Sequence, residues 1–387
     1  MYDGRYVFTQ ITVYLPQRQF RRIVSKFNDR TRNWSFSYWN HLLVLIFGQL
    51  LGCGTLRELT DITTAHAKRS NQLGFGDSAV VRSTLSKANM LREPRIFEEF
   101  AFHMVSLAQE RRITREFELH GRFYAVDSTT IDLCMSVFRW ALFRSTKSGI
   151  KVHAQIDIAT EIPVFYRITN ANVHDTKSMD WIVYEPQAFY VFDRGYFDLS
   201  RLFAVNLCGA FFIIREKGRP SYEIVDGEEL LEGDDGILLD QRVRFSGKRN
   251  AGNYPSEIRR IIYYAADLGR TFVYYTNNFY FPAKDIALLY RYRWQVELFF
   301  KWIKQHLRVK RFWGDSENAV RIQIHVAIIT YCLVAIIEHD LHLGRPVFEV
   351  MRILGSSLLV KDNLLELFGR GLVNEDDDGQ LELNFNC

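Results

Sequence analysis

The chain has 387 residues, of which 48% are hydrophobic and 24% charged, with 49 Lys and Arg against 45 Asp and Glu. This length and composition are typical of a soluble globular protein with two or three domains. The five cysteines form no CxxC motif, which argues against a disulfide framework or a thiolate zinc site and indicates a reducing compartment. The N-terminus lacks a signal-peptide pattern, so we expect a cytoplasmic protein.

Residues 1–118 are predicted to be helical. The apolar run LLVLIFGQLLG, like VAIITYCLVAII near the C-terminus, is about a dozen residues long, whereas a membrane span needs about 20. Both runs are therefore predicted as buried helices, and we expect no membrane partner.

Two segments of this region resemble a helix-turn-helix. LRELTDITTAHAKR and SAVVRSTLSKANMLR are separated by the turn GFGD, with Asp77 or Ser78 as the predicted cap of the second helix. That helix would present four side chains to a DNA groove: Arg82, Ser83, Ser86 and Lys87. An ordinary helical hairpin is the alternative, because such hairpins are common.

From residue 121 the pattern changes to strands rich in β-branched and aromatic residues. RFYAVDSTTIDL, GIKVHAQIDIA and IPVFYRITNANV predict three successive strands, and AFYVFD and AFFIIR predict two more, with helices near 175–185 and over LSRLFAVNL. This β-β-β-α-β-α-β order predicts a mixed α/β domain. Residues 216–283 predict an antiparallel β-rich insertion, and residues 331–387 a helical region with an acidic tail.

The segment YRYRWQVELFFKWIKQHL, residues 290–307, is basic and aromatic but contains a single acid, Glu297. A helix turns about 100° per residue, which places five side chains on one face: Tyr290, Arg293, Glu297, Lys301 and Lys304. One interpretation is a surface helix with Arg293–Glu297 and Glu297–Lys301 ion pairs, each stabilising by about 0.2–0.5 kcal/mol. The other is a binding surface for a polyanion such as nucleic acid.

Two further acids follow apolar strand residues, Asp127 in AVDSTT and Asp193 in YVFDRGY. An Asp at the end of a buried strand is costly unless it is paired or bound to a metal. Adjacent strands could bring Asp127 and Asp193 together, and a helix could add Glu297. Oxygen ligands suit Mg²⁺, and two such ions about 3.5–4 Å apart can drive phosphoryl transfer. We therefore predict that the acids hold metal while the basic face holds phosphates.

These residues carry a family resemblance. The signature Tyr290, Arg293, Glu297 and Lys304, preceded by AVDSTTI and FDRGYFD, is similar to that of the DDE transposases of insertion sequences, of the IS-four type. KVHAQIDIATEIP and NANVHD are similar as well. The match spans roughly residues 120–310, and the four-residue signature together with two correctly ordered Asp motifs is specific.

The resemblance implies an RNase H-like core at 119–330, interrupted by the β-rich insertion, after a helical DNA-binding domain at 1–118. Asp127, Asp193 and Glu297 would be catalytic metal ligands for Mg²⁺, with Mn²⁺ as a substitute. Tyr290, Arg293 and Lys304 would contact phosphates of the transposon end. The implied activity is cleavage at terminal inverted repeats and strand transfer into target DNA, by a homodimer on double-stranded DNA in the bacterial nucleoid.

Several side chains have two interpretations. Arg194 would contact phosphate or pair with an acid, and Lys301 joins the basic face. Lys147 and Lys151 are predicted to be solvated, with DNA contact as the alternative. His153, His174, Asp157 and Asp175 are predicted to be structural or turn residues, with contact to the site as the alternative. Some relatives stabilise a flipped base with a Trp in the insertion, but residues 216–283 contain none; a base could instead stack on Tyr222, Tyr254, Tyr263 or Tyr264.

Other functions remain open at this point. A non-catalytic, domesticated DNA-binding protein would not need the three acids. An RNase H-like nuclease would cut without preference for an end sequence. A glycosidase uses paired carboxylates but needs neither a basic helix nor a metal.

Overall fold

The computed structural model describes residues 4–27, 34–112, 121–144, 147–229, 236–306 and 312–369. Six α-helices of this described part precede the sheet: α1 (Val7–Thr12), α2 (Gln17–Lys26), α3 (Tyr38–Leu51), α4 (Leu56–Ala65), α5 (Arg82–Leu91) and α6 (Pro94–Arg112). Ser37 caps α3 by accepting a hydrogen bond from the Asn40 amide, and α3 ends at Gly52, whose φ of 66° is left-handed.

The described residues form one ten-stranded mixed sheet. Its strands are β1 (Phe123–Leu133), β2 (Leu142–Arg144), β3 (Lys147–Asp157), β4 (Pro163–Asn170), β5 (Phe189–Phe192), β6 (Phe211–Arg215), β7 (Tyr222–Glu229), β8 (Ile237–Phe245), β9 (Glu257–Ala265) and β10 (Arg270–Thr276). Strands β1, β3 and β4 are antiparallel, whereas β5 and β6 run parallel to β1. The predicted strand order is confirmed except for β2, which the sequence did not predict. The helix predicted near 175–185 is a 3₁₀ helix, Asp175–Trp181, and only the connection between β5 and β6 contains an α-helix.

The predicted insertion is confirmed as antiparallel, but it is continuous with the core sheet. Strand β10 pairs with β6, so the order runs β1-β5-β6-β10-β9-β8-β7. The insertion also contains a short helix that the sequence did not predict. The core helix that precedes the insertion is α7 (Leu199–Leu207), and the short helix inside the insertion is α8 (Lys248–Asn253).

Four helices follow the sheet in the described part: α9 (Ala283–Tyr292), α10 (Trp294–His306), α11 (Glu317–Asp340) and α12 (Val347–Ser357). Helix α11 packs against α3, α5, α6 and α12. It is long and apolar enough to span a membrane, but 94% of its apolar window is buried inside the protein. The prediction of a buried core helix is therefore confirmed.

One hydrophobic core joins the helical regions to one face of the sheet. Phe102 of α6 stacks on Tyr166 of β4 with ring centroids 4.8 Å apart, and the Tyr166 hydroxyl bonds to His325 of α11. Backbone bonds from Val7 and Phe8 also tie α1 to the segment after α12. The domain boundaries at 118 and 330 stay predictions: residue 118 lies outside the described residues, as does the acidic tail from 370, and α11 crosses 330 without a break.

Candidate active site

Asp127 and Asp193 lie side by side because of the register of two parallel strands. Val126 of β1 pairs with Phe192 of β5, and the two aspartates are the next residues on each strand. Adjacent strands lie about 4.8 Å apart, so the two carboxylates start from neighbouring backbone positions. The sequence-based expectation that central strands bring these acids together is met.

Asp193 also organises the turn that follows β5. Its Oδ2 accepts a hydrogen bond of 3.2 Å from the Gly195 amide, at the start of a 3₁₀ turn. A Cβ at Gly195 would stand 3.6 Å from Asp193 Oδ2 and 4.0 Å from Asp175 Oδ2. Gly195 therefore leaves open space between two carboxylates.

Glu297 is connected to Asp127 through Arg293. The predicted single helix over 290–307 is in fact two: α9 ends at Tyr292, and α10 begins at Trp294. At the junction, Arg293 Nη1 lies 3.2 Å from Asp127 Oδ2 and its Nη2 lies 2.7 Å from Glu297 Oε1. One guanidinium thus joins an acid of the sheet to an acid of the helix.

The Arg293–Glu297 ion pair is the one that the surface-helix interpretation predicted. This ion pair does not distinguish a simple surface helix from a binding surface for a polyanion, because the same guanidinium also binds Asp127. The side chain of Arg293 is only 15% exposed, whereas that of Glu297 is 58% exposed. Glu297 is therefore the acid with the most freedom to change its rotamer.

The protonation of Asp127 reflects this crowding. Burial, which is the largest cause, and the nearby carboxylates of Asp193 and Glu297 together raise the pKa of its carboxyl to about 6. The Ser128 amide and Arg293 oppose that rise. Acids that raise the pKa of a neighbour in this way favour a shared cation.

A fourth acid, Asp175, stands next to the pair. Its Oδ1 accepts hydrogen bonds from the Ser128 hydroxyl and from Lys151 Nζ, the latter at 2.9 Å. Burial alone would raise the pKa of this carboxyl, but Ser128 and Lys151 outweigh burial and hold it below its usual value. Lys151 is 9% exposed, so the prediction that it is solvated is wrong. Asp175 was predicted to be a turn residue, but it also binds Ser128 and Lys151.

The Asp175 network joins three segments that the sequence singled out separately. Ser128 follows Asp127 in AVDSTT, Lys151 lies in KVHAQIDIA, and Asp175 ends NANVHD. The segments meet because β1 and β3 are paired and the turn after β4 returns to them. No local pattern in the sequence indicates this contact.

Comparisons with known proteins agree with the geometry. Residues 118–333 match the family model described as the transposase DDE domain, and residues 3–76 match a domain of unknown function, DUF4372. This chain belongs to the DDE transposases. The core of the transposase is accordingly RNase H-like, and membership implies a divalent metal cofactor and DNA as the partner.

Three relatives carry transposase names. The transposase named y4zB of Sinorhizobium fredii is 34% identical over 68% of this chain and 74% of its own length. A Geobacillus stearothermophilus protein named for insertion sequence element IS5377 is 28% identical over 58% of each chain. A Synechocystis protein named for element IS4SA is 26% identical over 75% of this chain and 81% of its own.

A solved structure, the piggyBac transposase synaptic complex with hairpin DNA, covers 98% of this chain and 83% of its own. Its TM-score is 0.42 at 10% identity, which is too low to support a conclusion about function.

The carboxylates of the transposase suit a divalent ion in chemistry and in placement, with one rearrangement. Asp127 and Asp193 lie on adjacent strands and offer oxygen ligands. Among the described residues, no group of three or more His, Cys, Asp or Glu side chains is close enough to hold a metal ion. At this site Arg293 lies between the carboxylates of Asp127 and Glu297. Metal binding by all three acids thus requires Glu297 to exchange Arg293 for the ion.

The remaining predicted DNA-binding residues of the transposase lie in different settings. Lys301 and Lys304 are exposed on α10, and Arg194 is exposed directly after Asp193. Tyr290 is only 7% exposed, with its ring 4.6 Å from that of Tyr274. Its role as a phosphate contact stays a prediction.

Arg82 and Lys87 are exposed on α5, together with Ser83 and Ser86. Helix α5 begins at Arg82 after Val81, without a side-chain cap, so the predicted cap at Asp77 or Ser78 is wrong. Residues 66–81 separate α4 from α5, a longer connection than the three- to four-residue turn of a helix-turn-helix. DNA contact by α5 stays a prediction.

The four insertion tyrosines that were candidates for stacking a base differ in exposure and in surroundings. Tyr254 is fully buried among Phe203, Phe212 and Phe245, which rules it out as a base-stacking residue in this conformation. Tyr263 lines a cavity of about 630 Å³ that extends to Arg293. Tyr264 is exposed, and Tyr222 lies under Arg260.

The structural roles predicted for three other residues are confirmed. His153 is buried and bonds to Thr169, while His174 caps the 3₁₀ turn that begins at Asp175. Asp157 accepts hydrogen bonds from the amides of the turn after β3.

Proposed function

We propose that this transposase binds the terminal inverted repeats of an insertion sequence and catalyses Mg²⁺-dependent strand cleavage and strand transfer. The single observation that supports this function best is the pairing of Asp127 with Asp193, with Glu297 joined to them through Arg293. Mn²⁺ is expected to substitute for Mg²⁺, and the enzyme is expected to act in the bacterial cytoplasm on nucleoid DNA.

The residues would divide the chemistry between them. Asp127, Asp193 and Glu297 would hold the ions, which when bound activate the attacking oxygen and stabilise the leaving oxygen. Arg293 would turn from the acids to a phosphate as the DNA enters, because its guanidinium can form paired hydrogen bonds with either group. Lys304, Lys301 and Arg194 would neutralise neighbouring phosphates from exposed positions.

The N-terminal helices would supply end recognition. The exposed Arg82 and Lys87 of α5 are the side chains proposed to contact the transposon end. Strand transfer requires two ends to be held together, so a homodimer on DNA is the proposed active state.

The test is cleavage of end-labelled DNA that carries this gene with its natural flanks. The wild type should cut at discrete flanking repeats in Mg²⁺ and not in EDTA. Asp193→Asn should lose at least about 1,000-fold in rate, since metal ions contribute several kcal/mol to such reactions. Asp180→Asn is the matched control, because Asp180 pairs with Arg201 at the surface.

The other outcomes identify the alternatives. Binding without any cut would indicate a non-catalytic regulator. Cuts at random positions would indicate a general nuclease, and cleavage in EDTA would remove the metal from the proposal.

A further inference from the structure

A polar cavity of about 510 Å³ lies between the segment that follows Asp193 and the beginning of the insertion. Its walls come from residues 197–200, which follow Asp193, from residues 217–220, which follow β6, and from α8. Strands β5 and β6 are parallel, and ligands of open α/β sheets bind outside the carboxyl ends of such strands. The cavity therefore lies beyond the carboxyl ends of β5 and β6, the end of β5 that also carries Asp193, and its volume is that of a ligand pocket.

Its lining is mainly cationic. Lys217, Arg219 and Arg249 line it, together with one acid, Asp198. Asp198 is already engaged, because it accepts hydrogen bonds from the backbone amide of Arg201, at 3.2 Å, and from its guanidinium, at 2.8 Å. Within the described ranges, none of the three cations forms an ion pair.

The arginines of the neighbouring strands behave differently. Each of the four on β8 and β9 has an acid partner: Arg242 and Arg244 pair with Glu257, Arg259 with Asp240, and Arg260 with Glu216. The insertion thus pairs the charges of these strands and leaves those of the cavity available. Free cations that converge on a cavity favour an anionic ligand.

The backbone at the cavity is unusual. Gly218 and Arg219 have φ values of +89° and +86°, and Pro220 follows. A residue with a side chain rarely adopts positive φ, and the residue before a proline normally prefers an extended conformation. Such conformations cluster at ligand-binding sites, where the surrounding structure holds them.

We propose that this cavity binds phosphodiester groups of the DNA strand next to the catalytic acids, with Lys217, Arg219 and Arg249 as the contacts. Asn250 and Ser200 also line it and offer hydrogen-bond donors. The assignment rests on the proposed DNA cleavage and adds a contact outside the Tyr-Arg-Glu-Lys signature. A free phosphate ion has the same chemistry, and the experiment separates the two.

The experiment compares the full chain with the triple variant Lys217→Gln, Arg219→Gln, Arg249→Gln. Affinity for a duplex carrying the transposon end is measured by fluorescence anisotropy in EDTA across salt concentrations. Each lost phosphate contact lowers the slope of log K against log salt by about 0.9. Raising the salt from 50 to 200 mM weakens DNA binding by both proteins. The factor by which the affinity falls should be about 40 times smaller for the triple variant than for the wild type.

The matched control is Arg242→Gln with Arg244→Gln, which removes two cations that pair with Glu257. Its slope should equal that of the wild type. The single variants Lys217→Gln and Arg249→Gln keep the test valid if the triple variant does not fold, and each should lower the slope by about one unit.

An unchanged slope in the folded variants would overturn the assignment. If inorganic phosphate binds the wild type but not the triple variant, and the DNA slope is unchanged, the cavity is a site for the free ion. If the wild type cuts DNA while the variants keep its slope, only the cavity assignment fails. A wild type that neither binds nor cuts DNA would overturn the proposed function itself.

Discussion

The helical core around α11 differs in its polar pairing from the catalytic edge, the strand ends that carry Asp127 and Asp193 together with Arg293 and Glu297. In the core, Arg112 lies 3.2 Å from Glu338, and the two side chains are 1% and 5% exposed. At the edge, Arg293 is shared by Asp127 and Glu297, and Glu297 faces solvent. The core pair is closed to ligands, whereas in the proposed function a metal or a phosphate replaces a partner at the edge.

This contrast separates stability from function. Removing one member of a buried pair leaves an uncompensated charge in the core, which lowers stability. Removing one member of the shared edge pair leaves a group that still meets water, which changes ligand affinity more than stability. The four predictions below, from the largest effect to the smallest, test this division.

The core pair should have the largest effect on stability. Glu338→Gln leaves the Arg112 guanidinium buried without its carboxylate, so the free energy of unfolding should fall by about 3–5 kcal/mol in urea titrations. Glu349→Gln breaks the more exposed pair with Arg345 and should cost less than about 1 kcal/mol. Equal losses of unfolding free energy in Glu338→Gln and Glu349→Gln would contradict the division between pairs that stabilise the core and pairs that do not.

Asp175 combines features of both regions, because it is partly buried yet adjoins the acids. Asp175→Asn removes the charged partner of Lys151, and the free energy of unfolding should fall by about 1.5–3 kcal/mol. DNA cleavage should also slow, since the Ser128 hydroxyl loses its acceptor beside Asp127. Asp180→Asn, which faces Arg201 at the surface, is the control and should leave both unchanged.

The core also predicts a pH dependence. Burial, and to a smaller extent Arg321, lowers the pKa of His325 from its ordinary 6.5 to about 3. Between pH 7 and 5 the unfolded chain therefore binds a proton at this site that the folded chain does not. His325 should reduce the free energy of unfolding by about 2 kcal/mol over that interval.

The measurement compares the pH dependence of the wild type with that of His325→Gln. The variant also loses the bond to Tyr166, so its stability at pH 7 is expected to differ. Its decline from pH 7 to 5 should nevertheless be about 2 kcal/mol smaller. Parallel declines in the two proteins would show that His325 titrates normally in the fold.

The smallest effect is expected for Arg293→Gln in the absence of DNA. Removing a cation beside Asp127 and Glu297 should raise the affinity for Mn²⁺ by about tenfold, measured by calorimetry. DNA affinity should fall in the same variant. Arg291→Gln, which breaks an exposed pair with Asp267, is the control, and a similar change in both variants would contradict the sharing of Arg293.

Much of the candidate site could be predicted from the sequence. The strands around Asp127 and Asp193 have strong β patterns, and parallel neighbours place their ends together. The helix of Glu297 was predicted as one piece, because periodicity does not reveal the break at Arg293. Asp175 and Lys151 were assigned other roles, because a hydrogen bond between a strand and a distant turn has no local pattern.

The sequence by itself predicted the order of the main core strands, singled out the three acids as candidates and indicated the family. These features depend on side-chain period and on residue spacing along the chain, which are local properties. Only the tertiary structure decided that Arg293 binds Asp127, 166 residues away, and that the insertion continues the core sheet. It also decided that three cations with no ion-pair partner among the described residues line one cavity. Such contacts depend on strand register and packing, which bring together residues that lie far apart in the chain.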